Sequence, residues 1–279
     1  MKKRIILTIA LILLFLTGLS VLLYPVVSNY VNSLSQSRVI SRYTANLAQL
    51  SSSDYEELLE AAREYNKRLM TKSNRFFMKQ SDLDEYHNIL DFTGLGVIGT
   101  LEIDAIKVKL PIYLGTSEGV LQEGIGHLEG SSLPVGGIGT HSVISGHRGL
   151  PSSTLLTNAD KLKIGDIFVV KVLNETLTYE IDHIVIVEPE DIEYLGIDEN
   201  EDYCTLMTCT PYGINSHRLL LRGFRTFPSE EEQIIKERRI LQDDARINAV
   251  VGYVIAAVPI LLIAFIYMFI KYRKFKRKG

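Results

Sequence analysis

The sequence predicts a mainly β domain, a barrel or a sandwich, led by helices and flanked by two membrane-crossing helices. Three observations carry this. Between about residues 97 and 225, short β-branched runs are divided by Gly, Pro and Asn. Residues 36–70 instead repeat apolar side chains at helical spacing, and two end blocks, 5–27 and 249–270, contain no charged side chain. The 279 residues are 46% hydrophobic and 23% charged, which excludes a disordered or collagen-like chain.

Each element follows from its residues. Residues 1–28 combine Lys2, Lys3 and Arg4 with an apolar stretch. It is too long for the ~7–15-residue core of a signal peptide, which favours an uncleaved anchor over a cleaved leader. Residues 29–96 form a helical N-terminal region. There Ser53 and Glu56 have capping-box spacing, and Tyr55, Leu58, Leu59, Ala62, Tyr65 and Leu69 recur on one helix face. Residues 97–228 hold the expected strands at 101–108, 140–145, 167–172, 177–187, 203–208 and 218–222. Residues 229–248, dense in Glu, Lys, Arg and Asp, read as a charged juxtamembrane helix. Residues 249–279 read as a second span, with Pro259 inside it and a basic tail after it.

Nine of the 30 basic side chains lie at the two ends, leaving 21 against 33 acidic ones between them, a net −12. An acidic middle excludes nucleic acid as the expected partner. Basic residues outside both apolar blocks predict cytoplasmic termini and an extracytoplasmic domain between them.

The two cysteines, Cys204 and Cys209, lie five residues apart in a strand-forming run. That spacing separates them by about 16 Å and puts them on opposite faces, so they are not expected to pair. The chemistry-bearing residues concentrate after two predicted strands, in Ser145-Gly146-His147-Arg148-Gly149 and Thr208-Cys209-Thr210-Pro211, the latter leading on to His217-Arg218. A thiol nucleophile needs a proton carrier and a donor for an oxyanion, and His and Arg supply both. A zinc site built from His141, His147, Cys209 and His217 matches no metal-ligand spacing, and an arginine beside it would oppose a cation.

Several further motifs are Leu110-Pro111-Ile112-Tyr113, Gly126-His127-Leu128-Glu129-Gly130, Leu133-Pro134-Val135-Gly136-Gly137 and Gly146-His147-Arg148-Gly149-Leu150-Pro151. With the segment 205–218 they make the stretch from about 99 to 225 resemble a class C, pilin-polymerising sortase, and the paired membrane segments extend the resemblance over nearly the whole chain. The resemblance implies a closed sortase-type β-barrel and a cysteine transpeptidase. Its catalytic residues would be Cys209, His147 and Arg218, with His141, His217 and Arg222 as weaker competitors and Cys204 a buried strand residue. Its substrates would be pilins and surface proteins bearing LPXTG-like sorting signals, cleaved between Thr and Gly and joined to a pilin lysine, with no cofactor and no metal. One departure stands out. Class C enzymes carry a lid with an Asp-Pro-aromatic motif, and this chain contains no Asp-Pro. The corresponding segment, 71–91, offers Phe76, Phe77, Asp82 and Asp84 as candidate lid residues. Competing readings are a housekeeping sortase that uses a peptidoglycan amine, a non-catalytic membrane scaffold for pilus assembly, and a papain-like peptidase, whose order of Cys before His is reversed here.

Overall fold

The computed structural model describes residues 2–227. The apolar N-terminal block is the beginning of one long helix, α1 (Lys2–Leu47), which continues through Pro25 into the polar segment beyond it. Along that segment Ser37, Ser41 and Thr44 donate to the carbonyls four residues back, which keeps short polar side chains compatible with a helix. A turn at 48–50 ends α1, and α2 (Ser52–Met70) begins at the N-cap Ser51. The helical stretch expected over 36–70 is thus divided between two helices. The capping box is Ser51 with Asp54, two residues earlier than the Ser53–Glu56 spacing suggests, because Asp54 reaches back to both the Ser51 N–H and hydroxyl at 2.8 Å. Leu59, Ala62, Tyr65 and Leu69 of α2 are buried as their periodicity predicts.

Among the described residues, α1 is the one helix long and apolar enough to cross a membrane. The second expected span and the charged juxtamembrane helix lie outside the described residues. The expectation of two transmembrane helices with both termini in the cytoplasm is accordingly corrected. Each crossing exchanges sides, so a single crossing by α1 leaves the two ends of the described chain on opposite sides.

A short helix, α3 (Gln80–Ile89), precedes the first strands, β1 (Val97–Ile103) and β2 (Val108–Leu114). The expected single strand over 101–108 is instead the end of β1, a turn and the first residue of β2. A 3-10 turn at Asp104–Ile106 and Lys107 in the left-handed region reverse the chain, a turn that local β propensity conceals. Next come α4 (Glu118–Glu123), β3 (Ile125–His127), β4 (Thr140–Gly146), β5 (Ile167–Val172), β6 (Glu175–Val187), β7 (Asp202–Thr210) and β8 (His217–Thr226). The strands close into a barrel in the order β1-β2-β3-β4-β7-β8-β6-β5, so the barrel alternative holds and the sandwich does not. The β2–β3 and β4–β7 pairs are parallel and the others antiparallel.

Inside the barrel, Ile98, Leu101, Ile112, Ile125, Ile144, Leu206 and Leu221 pack with the stacked rings of Phe168 and Tyr179, 5.5 Å apart. Alternation along the strands gives β4, β7, β8 and β6 a second apolar face on the outside. There Val143, Val187, Leu195 and Leu220 form their own cluster, joined by Phe76, Leu128 and Met207. The outer face is therefore covered in part by the segment between α2 and α3 and by the β6–β7 loop.

Candidate active site

The barrel register brings the two sequence-distant motifs together. Cys209 and Arg218 are direct cross-strand partners on β7 and β8, so their side chains leave the sheet on the same face. On the other side of β7, parallel β4 aligns Ser145 with Met207. Two residues further along that register is His147 beside Cys209, with strands ~4.8 Å apart. The nucleophile candidate thus stands at the end of a central strand between an imidazole and a guanidinium. The neighbouring inward positions are apolar: Cys204 is fully buried, whereas Cys209 is half-buried, and both thiols are free. The opposite-face argument for the cysteines therefore holds, and burial raises the Cys204 thiol well above its usual range, which leaves it unreactive.

Two side-chain hydrogen bonds bracket this juxtaposition. The residue before the thiol bonds the residue before the imidazole: the buried Thr208 hydroxyl donates to the Gly146 carbonyl at 2.7 Å. The residue after the imidazole bonds the residue after the thiol: Arg148 Nη1 donates to Thr210 Oγ1 at 3.2 Å. Arg148 also donates to the Thr157 carbonyl and pairs with Asp160 at 2.6 Å, its own side chain only 8% exposed. These groups fix β4 and β7 in register at the point where the chemistry would occur. Arg148 lies within the quoted motif, but its partner comes from 62 residues away and no linear spacing marks it.

His147 has a buried Nε2 with no hydrogen bond, and that nitrogen lies 3.5 Å from the Glu118 carboxylate. Glu118 is held below the usual carboxylate range by its hydrogen bond from Gln122, and further by His147. Arg218 donates only to the carbonyls of Asn215 and His217, at 3.4 and 3.2 Å, and pairs with no carboxylate among the described residues. A cationic fork without a counter-ion beside a thiol suits a developing oxyanion or a peptide carbonyl.

The competing residues are engaged elsewhere. His141 is buried, with Nδ1 donating to the Gly196 carbonyl and Nε2 accepting from Thr205 Oγ1, both at 2.7 Å. Burial lowers its pKa to about 4, so it stays neutral. His217 is bonded to Ser216 and lies 3.3 Å from Glu188. Arg222 grips Asp182 with two hydrogen bonds and lies over the Tyr203 ring at 4.2 Å. Among the described residues, no three His, Cys, Asp or Glu side chains gather into a metal-binding group.

A cavity of about 450 Å³ opens beside Arg218, lined by Phe76, Leu128, Val187, Ile192, Met207 and Leu220 among others. Its lining is mostly apolar, which fits an extended peptide with small or aliphatic side chains. The candidate lid residues part ways here. Phe76 enters the cavity wall, whereas Phe77 is 81% exposed. Phe76 is placed by its neighbour Arg75, a buried guanidinium that donates to the carbonyls of Gly130 and Leu195 and lies 4.4 Å from the Phe76 ring centroid. Gly130 is required at this contact. Its φ is +83°, and a Cβ there would come 2.4 Å from the Arg75 carbonyl oxygen. Asp82 sits at the start of α3, accepting from Lys72 at 2.6 Å, and Asp84 accepts from Gln80 within the same helix. Neither aspartate lines the cavity.

The described barrel and its site compare with known proteins as follows. Residues 101–226 match the sortase domain family. Sortase D of Bacillus subtilis strain 168 is 32% identical over 114 residues, 41% of this chain and 54% of its own, so the chain spans about half the length of that curated relative. Sortase C1 of Streptococcus agalactiae is 48% identical with a TM-score of 0.66, covering 69% of this chain and all of the solved one. Sortase C of Streptococcus pneumoniae is 46% identical with a TM-score of 0.62, over 68% and 97% of the two chains. Sortase C of Clostridium perfringens is 40% identical with a TM-score of 0.60, over 69% and 100%. With near-complete coverage of these solved domains, the chain belongs to the sortase family and, within it, to the class C sortases.

Proposed function

We propose that the protein is a cysteine transpeptidase that cleaves an LPXTG-like sorting signal between Thr and Gly and joins the acyl group to a lysine of another pilin subunit. The single observation that carries this is the placement of Cys209 on β7 directly opposite Arg218 on β8, with His147 just past the end of the adjacent β4, and with Arg218 also lining the apolar cavity. The solved Clostridium perfringens sortase C, 40% identical, is described with the C-terminal cell wall sorting motif, which supports a peptide of this class as the occupant.

In the first step the Cys209 thiolate attacks the Thr carbonyl carbon. A carbon–sulfur bond forms and the Thr–Gly carbon–nitrogen bond breaks. Arg218 donates to the oxygen on which negative charge develops, and protonated His147 delivers its proton to the departing glycine amine. In the second step a lysine amine attacks the thioester. His147 takes a proton from that amine, the new carbon–nitrogen bond forms, and the thiolate leaves. Cavity walls of Leu128, Val187 and Leu220 hold the aliphatic part of the signal. Phe76, wedged in the same cavity by Arg75, acts as the lid residue that the missing Asp-Pro-aromatic motif leaves unfilled.

The test is an immunoblot of wall extracts for high-mass pilin ladders from cells carrying the native chain or Cys209→Ala. Collapse of the ladder to monomers is the expected result. A ladder that persists in cells with no other sortase would overturn the proposal, and loss of wall attachment with the ladder intact would instead favour the housekeeping reaction.

A further inference from the structure

The long helix α1 does more than anchor the barrel. It crosses the barrel and touches it at three successive points along its own length. Nearest the apolar block, the Ser28 hydroxyl and Asn32 Nδ2 both donate to the Ser152 carbonyl, at 3.2 and 2.8 Å. Asn29 Oδ1 accepts from the Thr154 backbone and hydroxyl, both at 2.8 Å. Further up, Gln36 donates to the Glu123 carbonyl, and Tyr43 both donates to the Ile98 carbonyl and accepts from the Leu173 N–H. Ser152 and Thr154 belong to the loop that follows His147, whereas Ile98 and Leu173 lie at the start of β1 and just past the end of β5. Register sets Gly99, Ile112, Ile125 and Gly146 on one line across β1, β2, β3 and β4, so α1 crosses that end of the strands, with the loop after His147 nearest its apolar block and β1 farthest from it.

Helix geometry converts this into depth. At 1.5 Å per residue, Ser28 to Asn32 lie about 2–8 Å past Val27, the last residue of the apolar block. A bilayer's headgroup layer is roughly 5–8 Å thick on each side. The loop after His147 is thus level with the headgroups, and Tyr43 stands about 24 Å above the hydrocarbon edge.

A second observation agrees with the first. Residues 149–158 and 211–216, the loops that follow His147 and Cys209, contain no charged side chain in a region that is net acidic. The second loop exposes Tyr212 and Ile214, at 59% and 72%, and the Tyr212 ring packs against Gly149 of the first. Uncharged backbone with an exposed Tyr and Ile is suited to an interface where acidic groups are repelled by anionic lipid and tyrosine is favoured.

We infer that the catalytic end of the barrel rests on the bilayer surface, with Tyr212 and Ile214 seated among the lipid headgroups. The inference goes beyond the reaction proposed above and does not depend on it. It does depend on α1 crossing the membrane. Its consequence is that the Cys209 site opens at the membrane plane, so a substrate held in the same membrane would meet it without leaving the surface.

The chain contains no Trp, so single tryptophans report position directly. Three full-length variants, Leu22→Trp in the apolar block, Ile214→Trp, and Ile138→Trp, are reconstituted in phosphatidylcholine and phosphatidylglycerol vesicles brominated on the acyl chains near the headgroup. Ile138 is equally exposed but precedes β4, at the opposite end of that strand from His147. Circular dichroism confirms that each variant is folded. The expected result is strong loss of emission at position 22, intermediate loss at 214 and none at 138. Loss at 22 with none at 214, or equal loss at 214 and 138, overturns the inference. No loss at 22 overturns it as well, by removing the crossing on which it rests. Retained pilin or peptide joining by Ile214→Trp in any of these cases shows that the reaction stands independently.

Discussion

Replacing Arg148 with Met tests whether the site is held by the bonds that bracket it. Met keeps an apolar stem of similar length and removes the hydrogen bonds to Thr157 and Thr210, both 3.2 Å, the ion pair with Asp160, and a cation 6.0 Å from the Tyr212 ring centroid, too distant to add much. Bonds of that length made by a charged donor contribute about 1–1.5 kcal/mol each. Asp160 is 45% exposed, so its pair is discounted to under about 1 kcal/mol. The sum, roughly 2–4 kcal/mol, corresponds to a fall in Tm of about 5–15 °C for a domain of this size. Activity should fall for a separate reason. Freeing Thr210 from Arg148 lets the His147 loop drift relative to β7, and a misplacement of about 1 Å costs on the order of 100-fold. In steady-state turnover of a fluorogenic sorting-signal peptide, Arg148→Met should lower kcat about 10- to 100-fold with little change in KM. Asp160→Ala, which leaves both hydrogen bonds in place, should lower it less than about threefold. A melting temperature that drops while kcat stays within about twofold of the native chain would refute the reasoning, since stability would then be all that Arg148 provides.

Three further outcomes follow from the same geometry. Thr208→Val is isosteric but leaves the buried Gly146 carbonyl without its 2.7 Å donor; it should cost about 1–3 kcal/mol in urea denaturation and lower kcat, and Thr208→Ser should restore both. If Phe76 gates the cavity, Phe76→Ala should raise peptide turnover by roughly 2- to 30-fold, the range set by its cation–π contact, while exposed Phe77→Ala changes nothing; equal effects from the two would remove the gate. Stability should fall as pH drops from 6.5 toward 4. Burial lowers His127 and His141 to about 4, so in that window the unfolded chain binds protons that the folded chain refuses, at a cost of at most on the order of 3 kcal/mol per histidine. A His127→Gln variant should show a flatter decline of Tm across the same range, and an unchanged slope would count against this origin.

How far the sequence reaches depends on whether a feature is local. The apolar face of α2 and the strands around 140–145, 167–172, 177–187, 203–208 and 218–222 were legible because each carries its own period. The β1–β2 reversal was not, because Asp104-Ala105-Ile106-Lys107 has no Gly or Pro and Lys107 adopts a positive φ that its residue type does not announce. Strand β3, three residues long, is too short to show a period and exists through its pairing with β2 and β4. The continuity of α1 was hidden by the change from apolar to polar residues at 28, where a change in surroundings imitates an end of the helix. The site residues were named from motif and resemblance. Their mutual placement, Cys209 opposite Arg218 with His147 on the neighbouring strand, is a property of barrel register that no linear spacing encodes. Arg148 and Asn29 were invisible as positioning groups for the same reason, since their bonds to Thr210 and Thr154 span 62 residues or more. The choice between Phe76 and Phe77 likewise required the buried Arg75 that turns one ring inward.

The central claim, that Cys209 is the thiol that carries the acyl group, is tested most directly by intact-protein and peptide-mapping mass spectrometry. The full-length protein is mixed with an LPXTG-like peptide and quenched in acid before the thioester turns over. The account predicts a mass increase equal to the fragment ending at Thr, located on the tryptic peptide holding Cys209 and absent from Cys209→Ala. Both cysteines fall on that peptide, so fragmentation must assign the adduct, and full burial of Cys204 predicts none there. An adduct on Cys204, or peptide turnover that persists in Cys209→Ala, would contradict the account.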